Sequence, residues 1–163
     1  MISGLNEKIE TPPYVKWVKK ENLHITLKFF GETEKNNLIE EEMKNLENEI
    51  LAFDISLTGV GAFPNRKKAK ILWVGVDKGK DNLFQLFSIT ENKVAALGFE
   101  KEERKFHPHI TFARVKKGKY SLPLNIDFSF GPFSVNEISL FKSTLTPNGP
   151  IYEIISEVPL RRG

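Results

Sequence analysis

Two of the three histidines in this 163-residue chain open the same tripeptide. His24, Ile25 and Thr26 stand in "LHITLKFF", and His109, Ile110 and Thr111 recur eighty-five residues later in "HPHITFAR". The chain holds eight threonines, so two such matches among three histidines is roughly a one-in-a-hundred accident, and pattern matches always carry some false-positive risk. In extended chain, residues i and i+2 point the same way about 7 Å apart, so each His-x-Thr offers an imidazole and a hydroxyl to one side. Two such segments facing each other would place imidazoles on opposite sides of a bound group, with two hydroxyl donors between them. With an ordinary pKa of about 6.5, one ring can be neutral while the other is protonated near pH 7. In-line displacement at phosphorus asks for that arrangement: a base for the attacking oxygen, an acid for the leaving oxygen, and donors for the non-bridging oxygens.

The third histidine, His107, precedes Pro108 and lies two residues before His109. It could mimic half of a metal pair, but no third ligand stands nearby, so it reads as a loop residue near the mouth of a cleft. No metal site is expected. Cysteine is absent, which leaves no thiolate nucleophile, no thiolate zinc site and no disulfide framework. Arg66, Lys67 and Lys68 form a basic turn that either guides an anion or is simply solvated.

The elements that must hold the two motifs follow from periodicity. Ile2, Leu5 and Ile9 predict an amphipathic helix over Met1–Glu10, broken by Pro12 and Pro13. Alternation predicts strands at Tyr14–Val18 and Leu23–Phe30, the latter with His24, Thr26 and Lys28 on one face. Thr33 can cap a helix whose apolar stripe is Leu38, Met43, Leu46 and Ile50. Phe53–Phe63 and Ile71–Val76 read as strands around the basic turn. Asp81 can cap a second helix that carries Leu83, Leu86, Phe87, Val94 and Leu97 and ends at Gly98. His109–Arg114 is a strand with His109, Thr111 and Ala113 on one face, and Gly118–Phe133 reads as irregular. Val135–Leu145 and Ile151–Leu160 make a hairpin around the turn Thr146–Pro150. Phe29, Phe30, Phe63, Trp73 and Phe112 are expected to be mostly core. Short connections between neighbouring strands favour antiparallel sheets with helices on one side.

Composition sets bounds. A hydrophobic fraction of 40% with 28% charged residues suits a globular domain, and no apolar run reaches the ~20 residues of a membrane span. The expected compartment is the cytoplasm. A net charge of +3 leans mildly toward anionic partners.

Beyond the paired motifs, "VKWVKKENLHITLKFFGE", "GVGAFPN", "ILWVGV", "FHPHITFAR" and "KSTLTPNGPIYE" together resemble the two-histidine phosphoesterase superfamily, in its RNA 2′,3′-cyclic phosphodiesterase (2′-5′ RNA ligase) branch. The resemblance covers nearly the whole chain. It implies an α+β fold, bilobal and duplicated about a pseudo-twofold, with antiparallel sheets forming a central cleft and helices packed outside. It implies one two-lobed domain over 1–163 that works without metal or cofactor; separately, a monomer is expected. The implied reaction opens an RNA-terminal 2′,3′-cyclic phosphate to a 2′-phosphate, reversibly with 2′-5′ ligation, tRNA fragments being one source of such ends. By the same resemblance His24 is the proton donor and His109 the acceptor, Thr26, Thr111 and Arg114 hold phosphate, and Tyr152 lies in a cleft-lining hairpin. The residues themselves leave Arg114 open to an ion-pair role and Tyr152 to simple packing. Relatives begin with a short apolar strand and a full helix; only the second half of that helix is represented, and the strand is expected to be missing. Other readings are a phosphodiesterase for another cyclic phosphate (such as ADP-ribose 1″,2″-cyclic phosphate) or a 2′-5′ oligonucleotide, and a non-catalytic RNA-end binder.

Overall fold

A computed structural model describes residues 1–147 and 149–163. Asn148, at the centre of the expected Thr146–Pro150 turn, lies outside the described residues. In chain order the elements are α1 (Ile2–Asn6), β1 (Val15–Trp17), α2 (Asn36–Leu46), β2 (Phe53–Phe63), β3 (Ile71–Val76), α3 (Lys80–Ala96), β4 (His109–Val115), β5 (Ser129–Val135), β6 (Glu137–Thr146) and β7 (Gly149–Pro159). The fold is α+β, and its pairings β1–β4, β3–β4, β2–β3 and β6–β7 are antiparallel.

The chain divides into two compact units. The first comprises Met1–Thr26, Ile55–Lys80 and His107–Phe133. Its frame is a five-stranded sheet in the order β1-β4-β3-β2-β5. Alternation along β3 buries Leu72, Val74 and Val76, and β4 buries Ile110 and Phe112 on the same principle. Trp73, Gly75, His109 and Thr111 therefore share the more open face. Gly118–Phe133, expected to be irregular, supplies most of edge strand β5; its Pro132 and its Gly131, whose φ is 108°, hide the alternation that a regular strand would show.

The second unit comprises Leu27–Asp54, Asp81–Phe106 and Ser134–Gly163. Its core joins Ile39, Met43 and Leu46 of α2 and Leu86 of α3 to Ile138, Leu140, Val158 and Leu160 at the β6–β7 hairpin. The helices thus cover one face of a two-stranded sheet. Met43, Leu46 and Ile50 of the expected stripe are buried, but its first member is Ile39 and not Leu38, which is 47% exposed. The helix begins after Lys35 rather than at Thr33, whose hydroxyl instead accepts the Lys35 N–H at 3.1 Å. Helix α3 starts at Lys80, one residue ahead of the expected Asp81 cap, and ends at Ala96, two residues before Gly98, whose φ of 88° is glycine territory. The N-terminal helix is shorter than its periodicity suggests, closing at Asn6.

Candidate active site

The Leu23–Phe30 segment is not the continuous strand its pattern predicts. Among the described residues it makes a single antiparallel bridge, Ile25 to Ile110. That one pair is informative. Antiparallel register sets His24 across from Thr111 and Thr26 across from His109, with all four side chains on the face opposite the two isoleucines. In such a register the His24–His109 diagonal spans about 7–8 Å between backbones, enough for a tetrahedral phosphorus to sit between the two ring ends. Both motifs lie in the first unit, although the sequence separates them by half the chain. Beyond Thr26 the strand pattern fails: Phe29, expected in the core, is 82% exposed.

The two imidazoles are held in the same way. His24 Nδ1 lies 2.7 Å from the Asn22 carbonyl, and His109 Nδ1 lies 2.6 Å from the His107 carbonyl. A carbonyl only accepts, so each ring donates from Nδ1, and in the neutral ring Nε2 carries the lone pair. In both motifs the partner is the backbone two residues earlier. The repeated tripeptide therefore repeats its orienting hydrogen bond as well.

His109 is half-buried, and burial pushes its pKa below the ordinary histidine value. Positive charge at His107, His24 and Arg114 works in the same direction, and only the hydrogen bond to the His107 carbonyl opposes it. Aromatic rings wall the imidazole: Phe63 at 5.3 Å and Trp73 at 5.9 Å between centroids, with the exposed His107 ring 6.0 Å away and 4.8 Å from Trp73. Expected as core, Phe63 and Trp73 are half-exposed and line the site. Trp73 occupies its place because residue 61 is glycine. A Cβ there would fall 2.2 Å from the indole, and Gly61 is the residue paired with Trp73 across β2–β3. The signal was in the sequence: Trp73 has the opposite parity from Leu72 and Val74.

Arg114 reaches this face by an irregularity. Strict alternation from His109 would turn Arg114 away and Ala113 toward the site. Instead β3 partners step from Leu72↔Ala113 to Trp73↔Thr111, so Phe112 is an extra residue in β4. Phe112 and Ala113 are both fully buried, and the parity flips so that Arg114 shares the half-exposed side with His109 and Thr111. The expected face of His109, Thr111 and Ala113 is corrected to His109, Thr111 and Arg114. Tyr152 belongs to the second unit, on β7, with its ring edge-on to Phe141 at 5.9 Å. Among the described residues there is no group of three His, Cys, Asp or Glu that could hold a metal ion, and no helix long and apolar enough to cross a membrane.

Comparison with known proteins fits this geometry. The profile of the LigT-like phosphoesterases matches residues 2–73 and again 74–152, one His-Ile-Thr in each match. A Methanocaldococcus jannaschii protein named RNA 2′,3′-cyclic phosphodiesterase is 43% identical over 149 residues, covering 88% of this chain and 83% of its own. A Bacillus subtilis protein of the same name is 33% identical over 159 residues, covering 95% and 85%. In fold, a crystal structure from Thermus thermophilus aligns with a TM-score of 0.82 over 99% of this chain and 90% of its own, at 24% identity. Escherichia coli LigT, crystallised with 3′-AMP, aligns at 0.75 over 98% and 88%, also at 24% identity. The duplicated motif, the fold and the relatives agree, and the chain belongs to the LigT-like phosphoesterase family.

Proposed function

We propose that this protein hydrolyses RNA-terminal 2′,3′-cyclic phosphates to 2′-phosphates by acid–base catalysis between His24 and His109. The observation that carries this reading is the Ile25–Ile110 register, which puts the two histidines on one diagonal with their threonines between them. The curated relatives that share the chain at 33–43% identity are named for this activity.

The chemistry follows from the orientation of each ring. With His109 kept neutral by burial and neighbouring positive charge, its Nε2 takes a proton from water as the water oxygen attacks phosphorus. The bond from phosphorus to O3′ breaks on the opposite side, and protonated His24 delivers its proton to O3′. The products are a 2′-phosphate monoester and a free 3′-hydroxyl, and solvent returns the pair to its starting protonation. Thr26, Thr111 and Arg114 donate to the non-bridging oxygens as charge gathers there. Ring strain activates the cyclic ester, so two imidazoles suffice. An RNA 5′-hydroxyl in place of water, with the step run backwards from its product, gives reversible 2′-5′ ligation.

Incubation with an oligonucleotide ending in a 2′,3′-cyclic phosphate, followed by identification of the hydroxyl that retains the phosphate, tests this reading. A 2′-phosphate is expected. A 3′-phosphate would reverse the leaving group, and an intact cyclic end would remove the activity. Cytoplasmic tRNA fragments with cyclic ends are the natural substrates to try first.

A further inference from the structure

Charge is divided unevenly between the two units. The first carries fourteen Lys and Arg against five Asp and Glu, and the second ten against sixteen, so a chain of net charge +3 is made of a +9 unit and a −6 unit. Within the first unit, residues 55–76 and 107–126 hold no acidic residue at all. These are the stretches that build β3, β4 and the histidine site.

Folding gathers their cations. Segments 66–70 and 115–122 run side by side, the Ala69 N–H donating to the Tyr120 carbonyl at 2.9 Å, Leu122 N–H to Arg66 carbonyl at 2.8 Å, and Val115 N–H to Lys70 carbonyl at 2.9 Å. Lys67 and Lys68 are thereby set beside Lys116, Lys117 and Lys119, all exposed. Lys70 donates its ammonium to the Gly118 carbonyl at 3.0 Å and pins the two segments together. Exposed Lys16 pairs directly across from Arg114 in the β1–β4 register. Like charges set opposite each other on neighbouring strands destabilise a sheet unless an anion comes between them. Among the described residues, none of the six lysines 16, 67, 68, 116, 117 and 119 is in a salt bridge.

We infer that these six lysines form a track for the body of a single-stranded RNA whose cyclic end sits between His24 and His109. The inference rests on the RNA-end reading above and adds where the upstream phosphates lie. Strand β4 links the two places. It carries His109 at one end and Arg114 near the other, and Lys116 lies seven residues from His109, roughly 23 Å along an extended chain. At ~3.4 Å per stacked nucleotide that is about seven nucleotides, and fewer if the strand is stretched. The first upstream phosphate meets Lys16, which lies beside the Arg114 that holds the reacting phosphate, and those several nucleotides upstream meet the paired basic segments. Contact is with backbone phosphate, so base sequence is not read there.

The test compares a 2′,3′-cyclic mononucleotide with a trimer and a decamer ending in the same group. The wild type is expected to show kcat/KM about tenfold or more higher for the decamer than for the mononucleotide at low salt, through KM, with most of the gain arising between trimer and decamer. A variant with Lys67, Lys68, Lys116, Lys117 and Lys119 each changed to Gln should lose that gain and keep mononucleotide turnover. Its log–log salt dependence on the decamer should flatten by roughly 0.7 for each phosphate contact removed. Equal wild-type rates on mononucleotide and decamer would overturn the track, as would a full length effect in the five-lysine variant or an equal loss on every substrate. If no cyclic end is hydrolysed, the RNA-end reading fails instead. The track is then judged by fluorescence anisotropy with a 3′-phosphorylated decamer, where tight wild-type binding lost in the variant supports it and equal binding by both proteins refutes it.

Discussion

At the scale of single residues, the site differs from two interchangeable histidines by what surrounds each. The sequence is symmetric about His24 and His109, and the orienting hydrogen bonds are symmetric too. The asymmetry is electrostatic, because burial and three neighbouring cationic groups hold His109 below the ordinary pKa of about 6.5. A base must be deprotonated to work, so the acid limb of kcat/KM belongs to the coupled pair and should fall below pH 6.5. Replacing Arg114 with Gln removes one cation that disfavours the imidazolium, so protonation becomes easier and the acid limb should move to higher pH. The same change should lower kcat/KM by roughly 10²-fold through loss of a donor to the transition state. A pH–rate profile of both proteins checks the two effects together. An unmoved limb with a destabilised fold would make Arg114 a structural residue.

At the scale of elements, the places where pattern reading failed are the places that shape the site. Alternation located β3 and most of β4, yet it aimed Ala113 and not Arg114 at the site, because one extra residue in a strand leaves no mark in hydrophobic periodicity. It drew Leu23–Phe30 as a full strand, since Leu, Ile and Phe at alternate positions carry that signature whether or not a partner strand is there to pair them. It assigned Trp73 to the core by residue type, although its parity and Gly61 opposite it pointed outward. Gly61→Ala should therefore cost about 1–3 kcal/mol, as overpacking does, and lower activity by moving Trp73 against His109; thermal melts and kcat/KM read the two. Elsewhere a buried pair ties down the chains that lead into both motifs. Lys28, two residues after Thr26, reaches Glu91 of α3 at 2.8 Å, and the other Glu91 oxygen accepts the Glu102 N–H at 2.6 Å. Both side chains are under 10% exposed. Lys28→Met strands the carboxylate and should cost about 3 kcal/mol or more, and the double change Lys28→Met with Glu91→Gln should cost less than the two single losses combined. Additive losses in chemical denaturation would mean that the two groups do not act as a pair.

At the scale of the whole molecule, duplication was legible and its consequence was not. Each half of the sequence carries one His-Ile-Thr, and the family profile matches each half separately. The structure nevertheless assembles both motifs in one unit, which draws on three separated stretches of chain. Sequence spacing alone could not say so, because which segments pair is decided by long-range strand contacts such as Ile25 with Ile110. The same assembly concentrates positive charge in the unit that holds both motifs, while the chain as a whole is nearly balanced. Net charge hid this division because it averages over units of opposite sign.

The central claim is that the two histidines act as one acid–base unit, and steady-state kinetics on a 2′,3′-cyclic mononucleotide in the presence of EDTA tests it most directly. Wild type, His24→Ala, His109→Ala and the double variant are compared after confirming that each is folded. Two imidazoles acting on an already strained ester predict turnover that persists in EDTA and single losses on the order of 10²–10⁴ each. The double variant should be little worse than either single, as for residues that work as a unit. Full activity in either single variant, or losses that multiply in the double, would contradict the account.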